Sequence, residues 1–324
     1  MIKFYRIFLI IIFSSILQSC CCCGSGSGVN YNVNASNSFA QVSEALSNNS
    51  SEKQENYSFV FSRDKDIYLF KNSPEKIITG YNPALNPEHN KLAFSKILEY
   101  GNAGILIYNI DSSETKTLLP DTNLVSNLMW SPDGKYISYL GRDNNFTLLI
   151  IDTETEETKT LIQPGKTTPF QPTWTGDSKA ILFQDMESLH KTDLNGNVIS
   201  SIKLKDITGQ DYSATSEDRF IECPIDPNLI AFTKQVEGTP EFTEAFNELN
   251  TALYIYNKET KESNRLTPED MLAIYPIWTL DGKYIYFTGY KNEHINDLNL
   301  FRIFRIKPDG SGLTEITSGS DASL

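Results

Sequence analysis

Three histidines, five cysteines and 41 acidic residues are the raw material for chemistry in this chain. Histidine is the usual general base near neutral pH and a common metal ligand. His89, His190 and His294 fall in an inner turn, a third strand and an upper loop of three different repeat units, described below. They therefore read as three separate histidines, and no metal site is expected. A serine hydrolase of the α/β type needs Gly-x-Ser-x-Gly, and the sequence has none. Sialidase-type Asp boxes, Ser-x-Asp-x-Gly-x-Thr-Trp, are absent too. A glycosidase needs only two carboxylates, and an acidic chain does not by itself localise such a pair. No catalytic residue and no cofactor are expected. Four of the cysteines, Cys20–Cys23, are consecutive, which is neither zinc-site spacing nor good disulfide geometry. The fifth, Cys223, stands alone.

The amino terminus carries a different chemistry. Lys3 and Arg6 give a positive start, and Phe8 to Leu17 is mostly apolar, too short for a membrane span of about 20 residues. The run ends Leu17-Gln18-Ser19-Cys20. This string resembles the lipobox of bacterial lipoproteins. The resemblance implies cleavage after residue 19 and a lipid-bearing Cys20 as the mature amino terminus. Several acyl chains would hold the protein at a membrane, since one alone binds only marginally. Cys21 is not the aspartate that retains lipoproteins at the inner membrane of enteric bacteria. The expected location is the periplasmic side of the outer membrane, or the cell surface.

Residues 20–57 follow as a lipidated cysteine and a tether rich in Gly, Ser and Asn. As a flexible coil, residues 24–57 would span roughly 30 Å. The formal net charge is −13. That disfavours nucleic acid and anionic lipid surfaces as partners, because both need basic patches.

The rest of the chain repeats. Trp130-Ser-Pro-Asp-Gly-Lys-Tyr-Ile-Ser-Tyr139 aligns with Trp278-Thr-Leu-Asp-Gly-Lys-Tyr-Ile-Tyr-Phe287 and with Trp174-Thr-Gly-Asp-Ser-Lys-Ala-Ile-Leu-Phe183. Degenerate copies begin at Leu85 and Cys223. A period near 45 residues with strand-like segments predicts the blades of a β-propeller. Each unit reads as four short strands divided by turn residues. Trp130, Trp174 and Trp278 are expected to fill space between blades, with Cys223 as a small buried hydrophobe at the same position. Asp133, Asp177, Asp226 and Asp281 read as turn-formers. The first unit, beginning at Ser58, lacks an inner strand, and Leu324 falls where the next Trp would stand. The fold class is therefore all-β: a six-bladed propeller of four-stranded blades over 58–324, closed by the carboxyl-terminal strand completing the amino-terminal blade.

The Trp-Ser-Pro-Asp-Gly-Lys phrase, and Ile306-Lys-Pro-Asp-Gly-Ser-Gly-Leu-Thr-Glu-Ile-Thr317, resemble the TolB-like and WD40-like propeller repeats. The resemblance covers nearly all of 58–324 and implies a periplasmic or surface propeller that binds protein. It departs from TolB at the amino terminus, where a tether and Leu-x-Ser-Cys precede the propeller. An envelope protein is the expected partner, the membrane is reached through the N-terminal lipid, and a monomer is expected. A carbohydrate-binding or carbohydrate-active surface propeller is the alternative. Loops joining strands two and three, and those joining blades, share one face and are the long ones here. That face is expected to present Tyr81, Tyr100, Phe170, Tyr212, Phe242, Phe246, Tyr275 and Tyr290, aromatics suited to protein or glycan contact.

Overall fold

Short runs of β-branched and aromatic residues, cut every few positions by Asp, Asn, Gly or Ser, fold as strands. The computed structural model describes residues 57–97, 103–122, 125–143, 145–163, 165, 167–209, 212–246 and 249–324. All of them belong to one unit, Glu55–Leu324. Cys20 and Tyr100 lie outside the described residues.

The first blade starts with β1 (Phe59–Arg63), β2 (Asp66–Phe70) and β3 (Pro74–Thr79). The second holds β4 (Tyr81–Leu85), β5 (Lys91–Ile97), β6 (Ala103–Asn109) and β7 (Thr115–Thr122). The third holds β8 (Val125–Trp130), β9 (Tyr136–Asp143), β10 (Asn145–Asp152) and β11 (Thr158–Ile162). The fourth holds β12 (Phe170–Trp174), β13 (Ala180–Gln184), β14 (Ser188–Asp193) and β15 (Val198–Lys203), followed by the helical turn α1 (Leu204–Thr208). The fifth holds β16 (Phe220–Cys223), β17 (Asp226–Val236), β18 (Asn250–Asn257) and β19 (Glu262–Arg265), with α2 (Pro240–Phe246) between its middle strands. The sixth holds β20 (Met271–Trp278), β21 (Ile285–Lys291), β22 (Arg302–Ile306) and β23 (Thr314–Ser318). The last strand, β24 (Ser320–Ser323), pairs antiparallel with β1 and completes the first blade. Six four-stranded antiparallel sheets result, closed as the repeat predicts.

A blade is flanked by a neighbour on both faces, so its inner strands lose the in-out alternation of a half-buried sheet. Every residue of β12 and β13 is buried. Outer strands such as β15 face solvent. Apolar side chains gather into six clusters, one at each junction between blades. Phe59, Phe61, Tyr286, Ile303 and Ala322 form the cluster that joins the last blade to the first.

The repeated Trp works at these junctions. Trp130, Trp174 and Trp278 are buried. Each sends its indole N–H back to the inner strand of the preceding blade: to Ala84 O at 2.9 Å, Met129 O at 3.2 Å and Ile221 O at 3.1 Å. Cys223 is buried in the same kind of junction. The turns after these positions are built by the aspartates. Ser131 Oγ donates to Asp133 Oδ1 at 2.6 Å, and the same oxygen receives the Lys135 amide at 3.1 Å. Thr175 with Asp177, and Thr279 with Asp281, repeat the pattern. The Thr175 hydroxyl is the main reason that Asp177 titrates below the usual carboxylate range. Gly134 and Gly282 take φ of 73° and 69° in these turns. In the fourth blade the proline gives way to Gly176, where a Cβ would lie 2.1 Å from Pro224 O of the next blade.

A polar hub at the mouth of the central channel

Inner strands β4, β8, β12, β16, β20 and β24 stand side by side around the propeller axis. In five of them the pairing slips by one residue. Each slip is a β-bulge, an extra residue that bends the strand and re-aims a side chain. It leaves one non-glycine residue left-handed in every case: Asn82 (φ 52°), Asn127 (54°), Gln171 (46°), Tyr275 (52°) and Asp321 (53°). Asn and Asp tolerate this region, whereas for Gln and Tyr it is unusual. All five stand three residues before the Trp position of their repeat. That is the start of the inner strand, on the face of the blade-joining loops and opposite the Asp-Gly turns.

The fifth blade differs. β16 pairs without a bulge at its start, Phe220 opposite Phe232, and the loop before it folds into the channel instead. Asp218 organises that loop. Its carboxylate accepts the Tyr212 hydroxyl, the Thr215 amide at 2.7 Å and the Thr215 hydroxyl at 3.0 Å. Gln184 Nε2 donates to Thr215 O at 2.8 Å. Glu217 and Arg219 flank Asp218 and enter the hub.

Hydrogen bonds then run from blade to blade. Asn82 Nδ2 donates to Val125 O at 3.1 Å, and Asn127 Nδ2 to Gln171 Oε1 at 2.9 Å. Arg219 sends Nε and Nη2 to the same Gln171 oxygen, at 3.2 and 3.1 Å, and lies over the Tyr275 ring at 5.1 Å. Gln171 Nε2 reaches Ser216 O at 3.4 Å. The Tyr275 hydroxyl donates to Glu217 Oε2 at 3.1 Å. The Asp321 amide donates to Thr288 Oγ1 at 3.0 Å. Enclosure by protein pushes the Asp321 carboxyl up, Arg219 pulls it back, and Glu217 pushes it up again. Burial also raises the Tyr275 hydroxyl well above its usual value, so it stays a donor.

The aromatics expected on this face take several roles. Tyr81, at the start of β4, is exposed. Phe170 is buried against Phe146, ring centres 5.5 Å apart. Phe242 of α2 is buried against Phe246 and Tyr290, and Tyr290 meets Phe301 edge-on. These rings pin α2 and its loop onto the sixth blade. Tyr212 is tied to Asp218, and Tyr275 points into the channel. Of the eight expected residues only Tyr275 belongs to the hub. Asn82, Asn127, Gln171 and Asp321 each place a polar side chain three residues before the Trp position of their repeat, a recurrence the sequence carries, whereas Glu217 and Arg219 come from the loop before the fifth blade.

The described histidines stay apart. His190 bridges Asp185 Oδ2 at 2.9 Å and Ser201 Oγ at 2.7 Å on the outer strands of the fourth blade. His294 lies near Glu315 in the sixth. Among the described residues no group of three or more His, Cys, Asp or Glu side chains is placed to hold a metal ion.

No protein-family model matches the sequence, and no curated protein matches it. Solved structures do. TolB from Acinetobacter baumannii superposes with a TM-score of 0.60 at 16% identity, over 82% of this chain and 65% of that one. The fold is that of a TolB-like six-bladed β-propeller. This chain spans less than two thirds of the TolB it matches. This chain is also similar to an oligogalacturonate lyase from Vibrio parahaemolyticus, TM-score 0.51 at 12% identity over 76% and 74% of the two chains. The propeller domain of the Trilobed protease from Pyrococcus furiosus, described as having an open velcro topology, matches at 0.50 and 16% identity over 78% and 74%. The propeller of this chain is instead closed, by β24. At these identities the likeness is one of fold.

Asp218 gives the hub's loop a pH dependence. Burial pushes its carboxyl up to about 6, against the hydrogen bonds from Tyr212 and Thr215 that favour the charged form. An unfolded aspartate titrates at about 3.9. Between those values the folded chain keeps a proton that the unfolded chain has released, so this contribution to stability falls as pH rises. Two pH units correspond to about 3 kcal/mol. The urea midpoint of the full chain is expected to fall between pH 4 and 6.5 more steeply in wild type than in Asp218→Asn. Equal slopes would remove Asp218 as the source.

Proposed function

We propose that this chain is a membrane-anchored extracytoplasmic propeller that docks a protein partner on the face carrying the hub. The observation behind this reading is the distribution of exposed apolar side chains. Nine large ones are exposed among the described residues, and five belong to this face: Tyr81, Ile97, Met186, Leu249 and Leu298. Four of them stand at or beside the connections between second and third strands, and Tyr81 starts an inner strand. Apolar tips around a polar centre suit a protein contact, where a few large side chains carry most of the binding energy. The rings that a glycan would stack on, Phe170, Phe242 and Tyr290, are turned into the protein, which favours a protein partner over a carbohydrate. The Leu-x-Ser-Cys string supports anchoring through Cys20, and the acidic charge supports a partner with a basic surface.

A photo-crosslinking residue placed at Leu298 or Tyr81 in intact cells tests this reading. One envelope protein should be captured from both positions and not from Ile225 on the opposite face. Capture of the same proteins from both faces, or of none, would overturn it. In the same cells Cys20→Ser should move the chain from the membrane to the soluble fraction. An unchanged distribution would remove the lipid anchor.

A further inference from the structure

The hub's own hydrogen bonds leave it with a surplus of acceptors. Asn82 spends Nδ2 on Ser95 Oγ at 2.8 Å and on Val125 O at 3.1 Å. A backbone carbonyl only accepts, so the orientation of this amide is fixed and Oδ1 is the atom left over. Asn127 is fixed in the same way. Its partner, Gln171 Oε1, takes two N–H groups from Arg219 and must be the oxygen, so Asn127 donates to it and keeps Oδ1 spare. Glu217 Oε2 accepts the Tyr275 hydroxyl at 3.1 Å and Gln171 Nε2 at 3.5 Å. Asp321 has Ser320 as its side-chain hydrogen-bond partner, with Arg219 and Glu217 as the charges nearest it. Arg219, the cation of the hub among the described residues, has committed Nε and Nη2 to Gln171 and its face to Tyr275, and it meets Glu217 and Asp321 through space. Two carboxylates and two amide oxygens are therefore set against one guanidinium already in use. Such a ring is short of a cation that can donate several hydrogen bonds.

We propose that the hub receives a basic side chain, lysine or arginine, that the partner protein presents along the propeller axis. This rests on the protein-docking reading above and names the chemistry at its centre. The apolar tips of Ile97, Met186, Leu249 and Leu298 surround the mouth and would take the apolar residues flanking that side chain. The net charge of −13 favours approach of a basic surface from a distance. In the complex the cation sits between Asp321 and Glu217, with the two asparagine oxygens completing its hydrogen bonds. Arg219 keeps the empty hub from carrying two uncompensated carboxylates.

The test uses the full chain in detergent and two small probes: Nα-acetyl-lysine methylamide and its Nε-acetylated, uncharged analogue. Binding is read by saturation-transfer NMR, with unfolding curves confirming that each variant is folded. The charged probe should bind at least tenfold more tightly than the neutral one. Asp321→Asn and Glu217→Gln should each weaken it at least fivefold, and Glu293→Gln, an exposed carboxylate of the sixth blade, should leave it unchanged. Equal binding of the two probes, or binding that ignores Asp321 and Glu217, would overturn the proposal. So would calcium chloride displacing the probe at micromolar concentration, which would make the hub a metal site. The two readings fail separately. A captured partner whose lysines and arginines can be replaced without loss sinks the hub proposal and leaves docking intact. A lysine probe held by the hub, with no partner captured in cells, does the reverse.

Discussion

Deleting Ser320–Leu324 should abolish cooperative folding. The strand lost is short, but it seals the ring. β24 covers β1 through the pairs Val60–Ser323 and Ser62–Ser320. Its Ala322 packs with Phe59, Phe61, Tyr286 and Ile303, and Ser323 Oγ accepts the Leu85 amide at 3.0 Å, tying the first blade to the second. Without β24, the edge of β1 opens and Phe59, Val60 and Phe61, all fully buried, begin to meet water. Burial of such a side chain contributes about 1.5–3 kcal/mol, so exposing three costs on the order of 5 kcal/mol. Whole domains are stable by about 5–15 kcal/mol. The bare edge is also a template for pairing with other chains. Size-exclusion chromatography and near-UV circular dichroism should show aggregated or loosely packed protein. A sharp, wild-type-like unfolding transition would mean that the first blade stands on three strands.

Trp278→Ala should be the most damaging single substitution among the repeat tryptophans, at about 3–5 kcal/mol. Trp278 is buried among Ile221, Cys223, Met271 and Phe304 in the cluster between the fifth and sixth blades. Its neighbour across the junction is a cysteine where other blades carry a tryptophan or a leucine, so little side-chain volume is available to refill the space. Trp278→Phe separates packing from hydrogen bonding. It restores most of the volume but leaves Ile221 O without its indole donor, and a buried acceptor left unpaired costs about 1–3 kcal/mol. Urea unfolding should rank wild type above Trp278→Phe and Trp278→Ala last. If both variants lose equally, the hydrogen bond and not the volume holds the junction.

The propeller could be read from the sequence because its repeat is local. Trp, Asp and Lys recur at fixed offsets since one turn, with one set of side-chain-to-amide bonds, is built again in the third, fourth and sixth blades. Ring closure could be read by counting, as Leu324 occupies the next Trp position. The hub hides for the opposite reason. Asn82, Asn127, Gln171, Tyr275 and Asp321 share a backbone position but not a residue type, so the bulge leaves only a recurring polar group three residues before the Trp position as its trace. Arg219 comes from the blade that lacks the bulge, in a loop whose path is set by Asp218 binding Tyr212 and Thr215. Aromatics near long loops pull a reader towards the rim. In the structure Phe242 and Tyr290 stack on each other, 6.1 Å between centres, because a ring is as useful for fastening a loop to its own blade as for meeting something outside.

The joint between β1 and β24 also sets a schedule. Val60 is among the first residues of the propeller to be made, and its partner Ser323 among the last. At about 5–20 residues per second, the first blade waits on the order of ten seconds or more for its missing strand. Through that interval the growing chain has no closed ring to fall into. For a chain exported as proposed, that delay keeps the propeller threadable through a translocation pore until its last strand has been made. Moving the closing strand to the amino-terminal side, by circular permutation, should let the first blade form early and slow export, while leaving the finished ring unchanged.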